Sequence, residues 1–236
     1  MIDIKAYIEE KRSLIEDRLE KALPPENAPP AIIHQAMRYS LMARSKRIRP
    51  ILMLATTESM GGNIERAIPF AVALEMVHTY SLIHDDLPAM DNDDFRRGQP
   101  SSHKVFGEAI AILAGDALLT RAFYLMSSPY GFEDSISAWA VVDFIEEIAR
   151  AAGTEGMIAG QVMDMQLEGQ AATIAQVEAM HLGKTAAMIT AAVRVGGLAA
   201  RMFKSEKEME NLTLFGRHIG LAFQIVDDIL NVEGRP

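Results

Sequence analysis

The chain has no cysteine, a single tryptophan and only 6% aromatic residues among its 236. Without thiols, disulfides, thiolate nucleophiles and zinc-thiolate sites are excluded, and nothing favours an exported compartment, so a cytoplasmic location is expected. Positive charge is scarce as well. With 23 Lys and Arg against 32 Asp and Glu, the formal net charge is -9, which argues against nucleic acid as a partner. Long apolar runs are missing: the most apolar stretches meet Asp116, Asp164 or Arg194 before the ~20 residues that a membrane span needs. The opening "MIDIKAYIEEKRSLIEDRLEKALPP" alternates charged with apolar residues and has no h-region, so a signal peptide is not expected. Alternating β-branched runs, internal repeats, low-complexity tracts and domain-separating linkers are absent too.

What is present is helical periodicity. Ile4, Ile8, Ile15 and Leu19 recur at helical spacing, "LPPENAPP" stops that segment, and Ile32, Ile33, Ala36 and Met37 begin another. The richest helical stretches are 67–86, 109–126, 136–152, 157–167, 186–200 and 206–232, punctuated by Gly61-Gly62, Gly98, Gly153, Gly169 and Gly183. A hydrophobic content of 49% in a chain of this length fills one core, so an all-α single domain spanning 1–236 is expected. The fifteen methionines read as core filler, because Met packs irregular gaps.

Against this background "SLIHDDLPAMDNDDFRRGQP" stands out. Asp85, Asp86, Asp91, Asp93 and Asp94 crowd behind an apolar segment, where like charges near a low-dielectric core drift towards the neutral acid unless a cation joins them. His78, seven positions before Asp85, shares a helix face with it two turns away. Pro88 disfavours continued helix at Leu87, so Asp91 is expected from a looped-out helix end. Two readings stay open for this stretch alone, a solvated acidic helix end and a cation site. Near the C-terminus, "GLAFQIVDDILNVEG" sets Gln224, Asp227, Asp228 and Asn231 at relative positions 0, 3, 4 and 7, one polar stripe on an otherwise apolar helix. A buried ion-pair network would also explain such a stripe, yet no equal number of cations accompanies it. Carboxylates are hard ligands, and Mg2+ takes one or two of them with waters and phosphate oxygens. The two aspartate clusters are therefore expected to hold several Mg2+ ions with a diphosphate.

Basic residues supply the other half. "ARSKRIRP" spaces Lys46 and Arg49 by one helical turn, and Arg96-Arg97 follows the acidic loop; arginine grips phosphate bidentately and lysine adds a point charge. "GKT" at Gly183 to Thr185 is no P-loop, lacking the upstream glycine and a preceding strand. It is expected instead to open a helix whose amides face an anion.

The run "HTYSLIHDDLPAMDNDDFRRG" followed by "HKVFGEAIAILAGDALL" resembles the first aspartate-rich region of the all-trans polyprenyl diphosphate synthases, bacterial farnesyl diphosphate synthases above all. "FQIVDDILN" resembles their second region, and "SKRIRP" their "GGKRIRP". The resemblance implies an all-helical isoprenoid synthase bundle around a central cavity, a cytoplasmic homodimer without a membrane span, that joins isopentenyl diphosphate to an allylic diphosphate. By the same resemblance, Asp85, Asp91 and Asp227 would ligand Mg2+, three ions in all, with Mn2+ as a substitute. Asp228 would stand with Asp227 at the second metal site, and Asp86 would support the first. Lys46, Arg49, His78 and Arg97 would hold isopentenyl diphosphate, while Arg96, Lys184, Thr185 and Gln224 would serve the allylic partner. Tyr80 and Ser81, five and four positions before the first aspartate, would form the floor that sets product length, and the ring at Tyr80 resembles the farnesyl type over the geranylgeranyl type. Asn231 stands where the family has aspartate, and the family's C-terminal flap and last helices are expected to be missing after Pro236. A terpene cyclase, an HD-type phosphohydrolase suggested by His84-Asp85 and a non-catalytic prenyltransferase subunit are the alternatives. The first two are opposed by the second basic set and by the lack of spaced metal-binding histidines, the third by an intact first motif.

Overall fold

The computed structural model describes residues 3–128, 136–200 and 206–233. In order these form α1 (Ile4–Ala22), α2 (Ala31–Leu41), α3 (Ile48–Ser59), a 3-10 turn (Ile64–Arg66), α4 (Ile68–Asp85), strands β1 (Phe95–Arg96) and β2 (Gln99–Pro100), and α5 (Ser102–Phe106). There follow α6 (Glu108–Ser127), α7 (Ala138–Ala152), α8 (Met157–Leu167), α9 (Ile174–His181), a π-helical turn (Leu182–Ala186), α10 (Ala187–Ala199) and α11 (Glu206–Glu233). The all-α class read from periodicity holds, and the six stretches singled out above all become helices. The short helices α5 and α9, the π turn and the β1-β2 ribbon carry too weak a period to be read from sequence. The chain divides into two compact units, one of Met1–Ile51 with Ile68–Ser135, the other of Leu52–Ala67 with Ile136–Pro236.

In the first unit α4 is packed by α1, α2 and α6. It is buried on nearly every face, from Ile68 through Val77 and again at Thr79, Tyr80 and Ile83. A helix buried all round must pair its acid, and Glu75 is met by Arg47 Nη1 at 2.8 Å. Arg47 holds a left-handed φ of 50°, and its Nη2 donates to the carbonyls of Leu41 at 2.7 Å and Ala43 at 3.3 Å. The basic run is thereby folded tightly between α2 and α3, and Pro50 fits the first turn of α3, where its missing N–H costs nothing.

Helix α6 lays Ala111, Ala114, Gly115, Leu118, Ala122 and Met126 into the same core. By length and composition it is the one described helix that could cross a membrane, with a mean hydropathy of 1.5 over its most apolar window. Asp116 therefore does not interrupt it as expected from sequence. Its packing on α4 gives the apolar stripe a partner within the unit.

The second unit is organised around α10, which packs on α7, α11 and the π turn. Ser137 caps α7 by accepting from the Ala140 N–H, and Thr173 with Gln176 forms a capping box on α9. In the π turn the Ala187 N–H bonds to the Leu182 carbonyl, one residue further back than in an α-helix. The wider turn fits because Gly160 of α8 lies against it: a β-carbon at Gly160 would fall inside van der Waals contact of the Lys184 backbone nitrogen. Gly160→Ala is expected to lower stability by about 1–3 kcal/mol, since the obstacle is backbone that cannot swing aside. A lower urea midpoint at unchanged m-value is the measurement that checks it.

Candidate active site

The first unit builds its site from the C-terminal end of α4. Pro88 has no N–H, so the helix stops and the chain folds back: Leu87 N donates to the His84 carbonyl at 3.2 Å and Met90 N to the Leu87 carbonyl at 2.9 Å. Asp91 N then donates to the Asp85 carbonyl at 2.9 Å, and Asn92 closes the loop at a φ of 52°. Two aspartates six positions apart are thus joined by one backbone hydrogen bond, as a looped-out helix end requires. Asp85 is half-buried and Asp91 exposed.

Asp86 turns inward and is 2% exposed. Burial raises its carboxyl pKa against the pull of Arg96. Arg96 Nε donates to Asp86 Oδ1 at 2.8 Å, its Nη2 reaches the same oxygen, and Nη2 also meets Asp93 Oδ2 at 3.0 Å. Burial alone would disfavour the Arg96 charge, but the hydrogen bond and charge of Asp86 outweigh it and raise its pKa. Arg96 is delivered by the small ribbon, in which it pairs with Gln99. Arg97 and Gly98 form the two-residue turn with φ of 55° and 82°, the pattern of a type I′ hairpin, which glycine enters without strain and arginine does not.

Beside this loop positive charge gathers. Arg49 Nη1 lies 3.3 Å from His78 Nε2. Arginine can only donate, so Nε2 accepts and the imidazole proton sits on Nδ1. Burial first, then the charges of Arg49, Arg97, Arg47 and Arg96, hold the His78 pKa well below its ordinary 6.5. Burial likewise lowers Arg49 and Arg97, and Arg49 Nε is buried without a hydrogen-bond partner. Desolvated cations with donors to spare make an anion site. Lys46 is exposed, whereas its neighbour Arg47, which sequence reading passed over, is the buried member of the run.

Tyr80 is 8% exposed, and its ring meets His84 edge-on at 5.8 Å. Burial and the charge of Asp85 raise its hydroxyl pKa, so Tyr80 feels that carboxylate although ideal helix geometry turns it away. Ser81 Oγ donates back to the His78 carbonyl at 2.8 Å.

In the second unit Gly183-Lys184-Thr185 does not open a helix. It lies inside the π turn between α9 and α10, so a helix N-terminal anion site is excluded there, and the motif acts through side chains. Lys184 Nζ pairs with Asp164 of α8. Thr185 Oγ1 donates to Gln224 Oε1 at 2.6 Å, and Gln224 Nε2 to Asp228 Oδ1 at 2.8 Å. His181 Nε2 lies 3.1 Å from Asp228 Oδ2. The polar stripe on α11 is real, and it meets His181, while Asp164 pairs with Lys184 in the π turn beside it; sequence reading missed both. Asp164 sits one turn after Gly160 and His181 one turn before Lys184, a signal visible only once α8 and α9 are known to meet the π turn. Asp227 is half-buried. Asn231 continues α11 by its backbone; its side chain, like Pro236, lies outside the described residues.

Among the described residues no group of three or more His, Cys, Asp or Glu could hold a metal ion by itself. Paired carboxylates, Asp85 with Asp91 and Asp227 with Asp228, are hard oxygen donors of the kind that fit Mg2+ or Mn2+ together with phosphate oxygens. The electrostatics also carry a pH dependence. Unfolded, His78 takes up a proton near pH 6.5, whereas folded it resists until well below that, so the unfolded chain binds more protons as pH falls. Its contribution to stability is complete above pH 6.5 and is lost on acidification. Thermal melts at pH 7.5 and 5.5 are expected to show a smaller drop in Tm for His78→Gln than for the wild type.

Similarity to known proteins agrees with this arrangement. The family model Polyprenyl synthetase matches residues 30–236. The large subunit 1 of a heterodimeric chloroplastic geranylgeranyl pyrophosphate synthase from Arabidopsis thaliana is 48% identical over 98% of this chain, which spans 62% of that protein's length. A farnesyl diphosphate synthase from Geobacillus stearothermophilus is 45% identical over 99% of this chain and 77% of its own. Among solved structures, an apo FPP/GFPP synthase from Zymomonas mobilis superposes with a TM-score of 0.89 at 34% identity, covering 97% of this chain and 81% of that one, which makes the helical architecture an isoprenoid synthase fold. With the folded-back aspartate loop, the cationic cluster and the Asp227-Asp228 helix all falling inside the matched region, the chain belongs to the polyprenyl synthetase family of prenyl-transferring enzymes.

Proposed function

We propose that the protein condenses isopentenyl diphosphate with dimethylallyl or geranyl diphosphate to farnesyl diphosphate, as a Mg2+-dependent cytoplasmic homodimer folded as one isoprenoid synthase domain. The observation that carries this reading is the pairing of a folded-back Asp85-Asp91 loop with a desolvated cationic cluster at Arg49, His78 and Arg97. Carboxylates and cations gathered so close together suit a ligand that is itself a metal-bridged polyanion.

In this reading Asp85, Asp91, Asp227 and Asp228 would hold the metal ions, which when bound neutralise charge on the leaving diphosphate. Arg49, Arg97 and the neutral His78 bind isopentenyl diphosphate, with Lys46 adding charge at the rim. Arg96, fixed by Asp86, would serve the allylic diphosphate, as would Lys184, Thr185 and Gln224. The carbon-oxygen bond of the allylic substrate breaks to an allylic cation and diphosphate. The alkene of isopentenyl diphosphate attacks the cation, and the departing diphosphate takes the proton lost. Apolar helix faces exclude water from the cation.

Asp85→Ala and Asp227→Ala are each expected to lower kcat by ~10²- to 10³-fold, the usual loss for one electrostatic stabiliser. Radiolabelled product formation at saturating Mg2+ measures it; near wild-type rates in both variants would overturn the metal assignment. Product length rests on Tyr80, whose ring fills the wall that a longer chain would need. Tyr80→Ala should add at least one five-carbon unit, because the space vacated admits further methylenes. Chromatography of the dephosphorylated products decides it. The geranylgeranyl product is the second reading, favoured by the 48% identity to a geranylgeranyl pyrophosphate synthase subunit.

A further inference from the structure

His181 has no place in the motifs that announced the site, yet its imidazole is buried at 6% exposure and faces Asp228. Their contact atoms, Nε2 and Oδ2, are 3.1 Å apart. An ionised carboxylate only accepts, so at this separation Nε2 carries the hydrogen. The other carboxylate oxygen, Oδ1, accepts from Gln224 Nε2 at 2.8 Å, and Gln224 Oε1 in turn accepts from Thr185 Oγ1 at 2.6 Å. Both oxygens of Asp228 are therefore held by protein donors, one from the end of α9 and one from its own helix. His181 directly precedes the π turn, and Thr185 lies within it beside Lys184.

We infer that His181 is a positioning residue for the second acidic site: it fixes the Asp228 carboxylate, and through it the rotation of α11 that presents Asp227, relative to the turn bearing Lys184. This rests on the metal-binding reading of Asp227 and Asp228 given above. Removing His181 frees one carboxylate oxygen and leaves Asp228 able to turn. Hydrogen-bond partners that orient metal ligands typically alter affinity by ~10- to 100-fold when lost. A merely space-filling histidine would be replaced by any residue of similar bulk, whereas a positioning donor is replaced only by one that returns an N–H to the same place. Glutamine, with its amide nitrogen at the end of the chain, is that replacement; leucine fills the volume without donating.

The test compares the wild type, His181→Gln, His181→Leu and Asp227→Ala by titrating Mn2+ into the whole protein in the presence of inorganic pyrophosphate. Electron paramagnetic resonance reads bound metal without turnover, and Tm is measured for each. Mn2+ binding about 10-fold weaker in His181→Leu, restored in His181→Gln at comparable Tm, supports the assignment. Equal affinity in His181→Leu and wild type, or equal loss in both His181 variants, overturns it. If His181→Leu does not fold, His181→Gln decides alone: wild-type affinity supports the donor role, and a loss of 10-fold or more removes it. Should Asp227→Ala also bind Mn2+ as tightly as the wild type, the metal reading of the second motif itself fails, and the positioning role falls with it. A loss confined to Asp227→Ala leaves that reading standing and sinks only His181.

Discussion

Asp86 sits buried at the end of α4, adjacent to Asp85, and a carboxylate there survives ionised only if a cation comes to it. Arg96 is that cation, and much of the first site follows from the need to bring it. The chain must leave α4 after Asp85, turn at Pro88, pass Asp91 beside the helix end and enter the short ribbon before Arg96 can reach Asp86. The excursion leaves Asp91 hydrogen-bonded by its amide to the Asp85 carbonyl and puts Arg97 in the turn. Burying one charge thus determines where two neighbouring functional groups stand. Removing Arg96 would leave Asp86 without its cation, and an unpaired buried carboxylate is among the costliest defects a core can carry.

The cationic cluster uses the opposite device. Arg47 is neutralised by Glu75 and by backbone carbonyls, which makes it a strut. Arg49 and Arg97 are half-buried and feel Glu75 only at a distance, without the hydrogen bond it gives Arg47, and His78 stays neutral among them. Two residues apart in one short run, Arg47 and Arg49 differ in kind: Arg47 is tied to Glu75 and to backbone carbonyls, while Arg49 meets His78 and, in the function proposed above, holds charge for an anion. Like-charge crowding lowers the stability of the free protein, and an anionic ligand recovers that loss as binding energy.

In the second unit small residues do the positioning. Gly160 and Gly183 let α8 and the π turn approach until Lys184 meets Asp164, while Gly216 and Gly220 of α11 lie against Thr190 and Ala186. Side chains that carry chemistry are long and reach from wherever the backbone stands, so backbone separation must be set by residues with almost no side chain. The polar chain from Thr185 through Gln224 and Asp228 to His181 is the product of that close packing.

By itself the sequence determined the helical class, the extents of the long helices, the looped exit from α4 and the single polar stripe on α11, because these depend on local periodicity and on the fixed geometry of proline. By motif resemblance it offered Asp85, Asp91, Lys46, Arg49, His78 and Asp227 as candidate site residues. It misjudged Gly183-Lys184-Thr185, since the π turn there depends on α8 coming close, Gly160 against Gly183 and Lys184, which no local period reveals. It did not separate Arg47 from Lys46, nor find Asp164 and His181. Burial and partnership are properties of pairs distant in the chain: Arg47 is a strut because Glu75 lies on another helix, and His181 acts because α9 meets α11. Only tertiary structure brings such pairs together, and for that reason only tertiary structure decided which charges are paired within the fold.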